Sequence, residues 1–233
     1  MKKLVLLLVA FILVGGFCFA QEDNGDSGKE KFALELSIGV PVHWTNSPTP
    51  HKFLDNIYDM DRTVTSNTAI GLSLMWPGKK KIGFTIDSDF FFGADVMGHS
   101  PTDSYSTALF GANMLIAPVF YFYNGSLLRI PFAIGLHMYY WGSDHWVPTD
   151  TISTADGVWV KTNDFQMGPG LYLGIQFHFT NYIYIFSRTN IAFDMFRWHR
   201  FNYYDGTDMK KQSHIEFAFG WEIKPALGIG VKF

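Results

Sequence analysis

The C-terminal stretch 215–233, IEFAFGWEIKPALGIGVKF, decides the fold class. Its odd positions all carry large apolar residues or proline, and its even positions carry only glycine, alanine, glutamate and lysine. A period of two indicates a β-strand with two different faces. A soluble sandwich buries the apolar face of each strand and leaves the charged face to water. Here the apolar face is unbroken while glycine and charge share the other, which favours a barrel that faces lipid with its outside.

The same alternation recurs along the whole chain and predicts eight strands. In 31–44, for example, every even position from Phe32 to Trp44 is large and apolar, and no odd position is. The predicted strands are 31–44, 67–76, 82–93, 105–122, 128–141, 165–179, 182–196 and 215–233. The predicted fold is therefore all-β, an eight-stranded antiparallel up-and-down transmembrane barrel.

The connecting segments alternate between short and long. The short ones are 77–81, 123–127 and 180–181, whereas the long polar ones are 45–66, 94–104, 142–164 and 197–211. Short turns at one rim, long loops at the other and an even strand count are typical of outer-membrane barrels.

Composition excludes several other classes of protein. Hydrophobic residues make up 48% of the chain and aromatic residues 18%, which is too apolar for a disordered protein. A net charge of −3 argues against a nucleic-acid binder, and a single cysteine excludes a disulfide framework and a cysteine-based metal site.

The N-terminus has the pattern of a cleavable secretory signal. Lys2 and Lys3 precede an apolar run that ends at Ala20, and the polar stretch QEDNGDSGKE follows. We therefore expect a signal peptide at 1–20, a flexible tail at 21–30 and one barrel domain at 31–233.

With this leader, these strands and this C-terminus, the chain resembles the small eight-stranded outer-membrane barrels of the OmpA/OmpX/OmpW-like group. The alternation of Ile229, Val231 and Phe233 at the very end is similar to the signal by which the barrel-assembly machinery recognises such proteins. The resemblance implies a Gram-negative-type outer membrane, insertion with the help of periplasmic chaperones, and contact with outer-membrane lipids and lipopolysaccharide.

Aromatic residues cluster at the ends of the predicted strands, where amphipathic rings favour the two membrane interfaces. We expect one girdle to include Trp76 and Tyr182. The opposite girdle would include Trp44, Tyr140, Trp141 and Trp221.

Charged residues on the inward face predict a closed lumen, because a barrel of eight strands has room inside only for its own side chains. The predicted ion-pair network consists of Glu35, Asp87, Asp89, Arg129, Arg188, Glu222 and Lys224. Strands four places apart face each other, so we expect Asp87 and Asp89 opposite Arg188, and Glu35 opposite Arg129.

A conduit for small hydrophobic molecules, as in OmpW-like members, is the alternative. It would need an apolar upper lumen, which Phe91, Leu109, Leu115, Tyr139, Trp141 and Tyr172 could line. We favour the interpretation that these residues only fill the barrel.

No arrangement of residues predicts an enzyme, a cofactor or a metal centre. No inward serine lies beside a histidine on a neighbouring strand, and Asp87 with Asp89 is better explained as structure than as an acid pair. We place six histidines at or beyond the outer rim without ligand spacing, and expect them to be solvated: His43, His51, His99, His145, His199 and His214. A lipid A-modifying enzyme is the third, least favoured hypothesis.

The remaining residues that suggest an external partner lie in the long loops. Phe53, Ile57 and Tyr58 recur at helical spacing in loop 45–66, which suggests a short helix over the mouth. Loop 142–164 carries Trp146 and Trp159, so both loops could contact an external ligand. We expect a monomer that binds no nucleic acid.

Overall fold

The computed structural model describes residues 32–46, 62–66, 68–76, 82–97, 105–148, 157–204 and 209–233. Its ten strands are β1 (Ala33–Gly39), β2 (Val42–Asn46), β3 (Arg62–Ser66), β4 (Thr68–Trp76), β5 (Ile82–Met97), β6 (Tyr105–Asn124), β7 (Leu128–Pro148), β8 (Gly157–His178), β9 (Ile183–Tyr204) and β10 (Met209–Lys232). The predicted leader and tail, and the predicted helix in loop 45–66, lie outside the described residues. Among the described residues, no helix is long and apolar enough to cross a membrane.

The strands form one antiparallel sheet that closes into a ring. The ring order is β1-β4-β5-β6-β7-β8-β9-β10, and β1 pairs with β10 to close it. The two short strands β2 and β3 extend the ring at one rim, where β2 pairs with β10 and β3 pairs with β2. The predicted eight-stranded barrel is confirmed. The first predicted strand is divided into β1 and β2, and β3 lies within the predicted loop 45–66.

The interruption between β1 and β2 falls at Val40 and Pro41. Proline has no backbone N–H to give to a ladder, so it is found at strand edges and irregularities. The chain stays attached at this point because the Val40 N–H donates to the carbonyl oxygen of Pro225, 3.1 Å away.

Four strands run well past their predicted upper ends, so the predicted long loops were too long. Strand β7 continues to Pro148 and β8 begins at Gly157, which places most of 142–164 in strands. Likewise β9 continues to Tyr204 and β10 begins at Met209, within the predicted loop 197–211. The alternation of apolar residues indicates only the part of a strand that contacts lipid. Backbone hydrogen bonding continues beyond that part wherever two strands stay adjacent.

The two faces of the barrel have the predicted residues. Thirty-three large hydrophobic side chains are exposed on the described surface, among them Leu36, Phe90 and Ile229. The inward face buries small, aromatic and charged residues instead. An apolar outside around a polar inside is the inverse of a soluble barrel and suits a bilayer.

One irregularity changes which residues of β9 face inward. The register with both neighbours shifts near Phe196, so that Asp194 and Arg197 are both buried although they are three residues apart. A β-bulge adds one residue to one strand and so reverses the alternation beyond it. Arg197 and His199 therefore face the lumen, and Trp198 and Arg200 lie on the opposite, outer face.

Candidate functional site

Arg188 of β9 lies at the centre of a charged cluster inside the barrel. Its Nη1 donates to Glu35 Oε2 (3.0 Å) and to Ser73 Oγ (2.7 Å). Its Nη2 donates to Asp87 Oδ1 (2.6 Å) and to Ser37 Oγ (3.0 Å). In the ring, β9 and β5 are separated by three strands on either side. The Arg188–Asp87 pair therefore crosses the lumen from one wall to the wall opposite, and the structure brings these two residues together as expected.

Lys224 of β10 adds a second cation to this cluster. Its ammonium contacts the carboxylate of Asp89 and lies 3.6 Å from Asp87 Oδ2. Asn190 Nδ2 donates to the same Asp87 oxygen at 2.6 Å. We call the set Glu35, Asp87, Asp89, Arg188 and Lys224 the Arg188 cluster. It holds three carboxylates and two cations, all with side chains no more than 1% exposed.

A glycine on β4 makes room for the Arg188 cluster. A Cβ at Gly71 would clash with Asp89 Oδ1 and Ser37 Oγ, and would lie 3.1 Å from Arg188 Nη2. The absent side chain at Gly71 thus leaves the space that the carboxylate and the guanidinium occupy.

Glu35, which we expected opposite Arg129, has its partners elsewhere in the lumen. Besides Arg188, its Oε1 accepts hydrogen bonds from Gln176 Nε2 (3.0 Å) and from the Tyr184 hydroxyl (2.7 Å). Arg129 is half-buried at the start of β7. Aromatic side chains fill the lumen around Glu35, and the Arg188 guanidinium carbon lies 5.1 Å from the centre of the Phe186 ring.

Further up the lumen, a carboxylate bridges two histidines. Asp194 Oδ2 lies 3.2 Å from His43 Nε2, and Asp194 Oδ1 lies 3.0 Å from His137 Nδ1. Glu222 lies beside them, 3.8 Å from His137 Nε2, and accepts a hydrogen bond from Asn113 Nδ2 at 2.9 Å. The prediction that His43 is a solvated rim residue is therefore wrong. Its odd position puts it on the inward face of β2, where the side chain is 7% exposed.

An aromatic patch borders this histidine pair on one wall. Phe91, Tyr139 and Trp141 are buried together with Ala69, and the His43 and Tyr139 rings stack with centroids 4.0 Å apart. The prediction that Trp141 belongs to a membrane girdle is thus wrong. Successive side chains of a strand point to opposite faces, so Tyr140 and Trp141 cannot both face lipid.

A third charged group, at the upper end, was not predicted as a site. Arg197 Nε and Nη2 donate to Asp164 Oδ2 at 2.7 and 2.5 Å, and Arg197 Nη1 lies 3.6 Å from Glu216 Oε1. His199, predicted to be solvated, is fully buried here, 3.8 Å from the same Glu216 oxygen. We call Asp164, Arg197, His199 and Glu216 the Arg197 cluster. Strict alternation of β8 places Asp164 inward, but only the bulge in β9 turns Arg197 towards it.

The other predicted interface residues lie on the outer face. Trp44 and Trp221 are register partners on neighbouring strands, and Trp76 lies beside Phe84 with ring centroids 6.0 Å apart. Tyr140 is half-exposed and Tyr182 is exposed at the lower rim. At the C-terminus, Ile229, Val231 and Phe233 all face outward. The Phe233 ring stacks on Phe32 at 4.9 Å, which fixes the end of the chain against its beginning.

Ion pairs and hydrogen bonds join the side chains of the Arg188 cluster. Within the residues that the structure describes, no three histidine, aspartate, glutamate or cysteine side chains form a set that could hold a metal ion. The carboxylates of the Arg188 cluster are engaged by cations and amides, so none has the poised, unshared position of a nucleophile or base.

Solved structures of other proteins share this architecture. The outer membrane protein OprG from Pseudomonas aeruginosa superimposes with a TM-score of 0.58 over 88% of this chain and 98% of OprG, at 12% identity. The chain has the fold of the small outer-membrane β-barrels. Two further outer-membrane structures agree with this fold: AlkL (TM-score 0.51, 10% identity, 91% of this chain and 95% of AlkL) and a major outer membrane protein from Thermus thermophilus (0.51, 9%, 86% and 99%).

These likenesses concern the fold alone, since every identity is 12% or lower. No protein-family model and no curated protein matches the sequence of this barrel. Its function must therefore be argued from its own lumen and surface.

Proposed function

We propose that this barrel is closed and non-enzymatic, with a structural or surface-interaction role in the outer membrane. The observation that carries the proposal is the Arg188 cluster, in which one buried guanidinium reaches carboxylates on β1 and on the opposite strand β5. Such a cluster occupies the middle of a lumen that is already narrow.

Energetics support a permanent closure rather than a gate. A buried ion pair is costly to separate, because either partner left alone in a low-dielectric interior is an uncompensated charge. Arg188 is held by four hydrogen-bond acceptors from β1, β4 and β5. Opening a path along the axis would require several of these bonds to break together.

Conductance in a planar bilayer tests this proposal. We expect the folded wild-type protein to show no steady single-channel steps in about 1 M salt. Removing both side chains in the double variant Arg188→Ala/Asp87→Ala should create a measurable leak. The matched double variant Arg197→Ala/Asp164→Ala leaves the Arg188 cluster in place and should stay closed. A steady conductance from wild-type protein would overturn the closed lumen.

A conduit for small hydrophobic molecules is the second candidate, and the aromatic patch of Phe91, Tyr139 and Trp141 is the observation that favours it. The apolar wall lies above the Arg188 cluster, so a molecule would have to leave sideways. A fluorescent fatty acid should then bind wild-type protein and lose affinity in Phe91→Ala. Equal binding by both proteins would remove this candidate.

Two further expectations belong to the same proposal. As a non-enzyme, the protein should leave the mass of lipid A unchanged when it is expressed in a Gram-negative host. If Ile229, Val231 and Phe233 form the assembly signal, deletion of Phe233 should reduce the folded fraction in cells. The same deletion should have much less effect on refolding in detergent, where the assembly machinery and chaperones are absent.

A further inference from the structure

The outer face of β8, β9 and β10 changes from apolar to basic within a few residues, above the level of Trp221. Register pairs define four successive rows across the three strands. From the membrane upward these rows are Met167/Phe196/Phe217, Phe165/Trp198/Ile215, Asn163/Arg200/Ser213 and Lys161/Asn202/Lys211. We call them the apolar rows (the first two), the polar row and the basic row.

The apolar rows are open at the surface. Phe217 is 78% exposed and Ile215 is 69% exposed. In the upper apolar row, Trp198 Nε1 donates to Ser213 Oγ at 2.7 Å, so the indole is anchored with its polar edge towards the polar row. An indole in this orientation marks the boundary between an apolar and a wet environment.

The charged side chains that the structure describes on this face have one sign. Lys161 and Lys211 are exposed and Arg200 is partly exposed. The described carboxylates of the three strands belong to the inward set instead, namely Asp164, Asp194, Glu216 and Glu222. The bulge in β9 is what turns Arg200 outward, since it reverses the alternation beyond Phe196.

The spacing of the rows matches the dimensions of a lipid. Ile215 and Lys211 are four residues apart on β10, which is about 14 Å along a strand and roughly 10 Å in height after a tilt of ~45°. A cation at that height above an apolar surface faces the headgroup of a lipid whose acyl chains lie against the apolar rows.

We propose that this face of β8–β10 binds a phosphorylated glycolipid of the outer leaflet. Its acyl chains would lie along the apolar rows, and its phosphate groups would contact Arg200, Lys211 and Lys161. The proposal rests on the surface-interaction part of the proposed function and is independent of lumen closure. A lipid fits better than a free anion, because the basic row is continuous with an exposed apolar surface that a free anion would leave uncovered.

The three cations should contribute unequally to the binding of phosphate. Lys161 already interacts with another group of the protein, whereas the register partners of the other two cations are neutral: Asn202 for Lys211, and Asn163 and Ser213 for Arg200. A cation that is already engaged has less attraction left for a phosphate. Arg200, which can bind a phosphate through two N–H groups, and Lys211 should therefore dominate.

The test measures binding of lipid A that carries two phosphates to protein refolded in detergent, by isothermal titration. The triple variant Lys161→Gln/Arg200→Gln/Lys211→Gln removes the cations. The control Lys79→Gln/Lys80→Gln/Lys81→Gln makes the same change in net charge in the sequence between Trp76 and Ile82, the ends of β4 and β5 at the rim opposite the basic row. Since a cation near an anionic surface is worth about fivefold in affinity, the triple variant should bind roughly 100-fold more weakly, and the control within about twofold.

Three further arms identify the ligand. Dephosphorylated lipid A should bind wild type and triple variant alike, and Ile215→Ser/Phe217→Ser should also weaken binding of the phosphorylated lipid. Millimolar inorganic phosphate should not displace that lipid. Equal binding by wild type and triple variant, an equal loss in the control, or displacement by inorganic phosphate would each overturn the proposal. Bilayer conductance is read out separately, so failure here leaves the closed lumen standing, and the reverse also holds.

Discussion

The Arg188 cluster and the Arg197 cluster use the same chemistry at two levels of the lumen, yet they join different parts of the barrel. Both contain a buried arginine that donates to an aspartate at 2.7 Å or less. Arg188 on β9 reaches Asp87 on β5, across the ring. Arg197 reaches Asp164 on the neighbouring strand β8, which backbone hydrogen bonds already hold beside β9.

The difference shows what a charged lumen contributes to a small barrel. Opposite walls share no backbone hydrogen bonds, so side chains connect them directly. The Arg188 cluster does so between β9 and β5 with several charged contacts, and the Asn113–Glu222 hydrogen bond does so between β6 and β10. The Arg197 cluster adds side-chain bonds to strands that are already paired. We therefore expect changes in the Arg188 cluster to affect the whole barrel, and changes in the Arg197 cluster to affect its upper rim.

We expect the largest effect on stability from reversing the charge of Asp87, the residue that Arg188 reaches across the lumen. Asp87→Lys would place a third cation beside Arg188 and Lys224 in a site with little solvent. Like charges at such distances repel strongly where the dielectric constant is low. We expect the folded, heat-resistant band on cold electrophoresis to disappear at a much lower temperature than in wild type. An unchanged band would contradict the claim that the Arg188–Asp87 pair joins opposite walls.

The next largest loss of stability should differ between the two arginines. Arg188→Gln leaves Glu35 and Asp87 buried without their main cation, and should lower the free energy of unfolding in lipid vesicles by about 3–5 kcal/mol. Arg197→Gln keeps the paired strands and should cost about 1–3 kcal/mol, as expected for one buried partner left unsatisfied. Urea titration followed by tryptophan fluorescence measures both. Equal losses would remove the distinction between the clusters.

A smaller loss of stability should come from filling the space beside the Arg188 cluster. Gly71→Ala introduces a methyl group where Asp89 and Ser37 lie, and should cost about 1–3 kcal/mol, as overpacking does. Gly142→Ala is the matched control, because its nearest neighbour would be a ring carbon of Phe110 at 3.4 Å, an ordinary contact. The control should change the unfolding free energy by less than about 0.5 kcal/mol. A similar cost for both substitutions would mean that Gly71 is not there to make room.

Sequence alternation was sufficient for the membrane-spanning part of this molecule. Since one face of each strand meets lipid, a strict period of two is enough to place Asp87 and Arg188 on opposite inward faces. The girdle prediction for Trp141 departed from this rule, which places Trp141 on the same inward face as Tyr139, and both side chains are buried.

Above the membrane, the sequence carries too little information for the same inference. Strands β7 to β10 continue into polar segments, where both faces meet water or charge and no alternation is required. The bulge near Phe196 has no residue that marks it in the sequence, and it alone decides that Arg197 faces inward and Arg200 outward. The Arg197 cluster and the outward position of Arg200 were therefore missed together, for one physical reason.

A double-mutant cycle is the most direct test of the claim that Arg188 joins opposite walls of the barrel. It compares the unfolding free energies of wild type, Arg188→Gln, Asp87→Asn and the double variant in vesicles, beside the same cycle for Arg197 and Asp164. The account predicts a coupling of about 2–3 kcal/mol between Arg188 and Asp87, and about 1 kcal/mol or less between Arg197 and Asp164. A coupling for Arg188 and Asp87 no larger than that of the neighbouring-strand pair would contradict it.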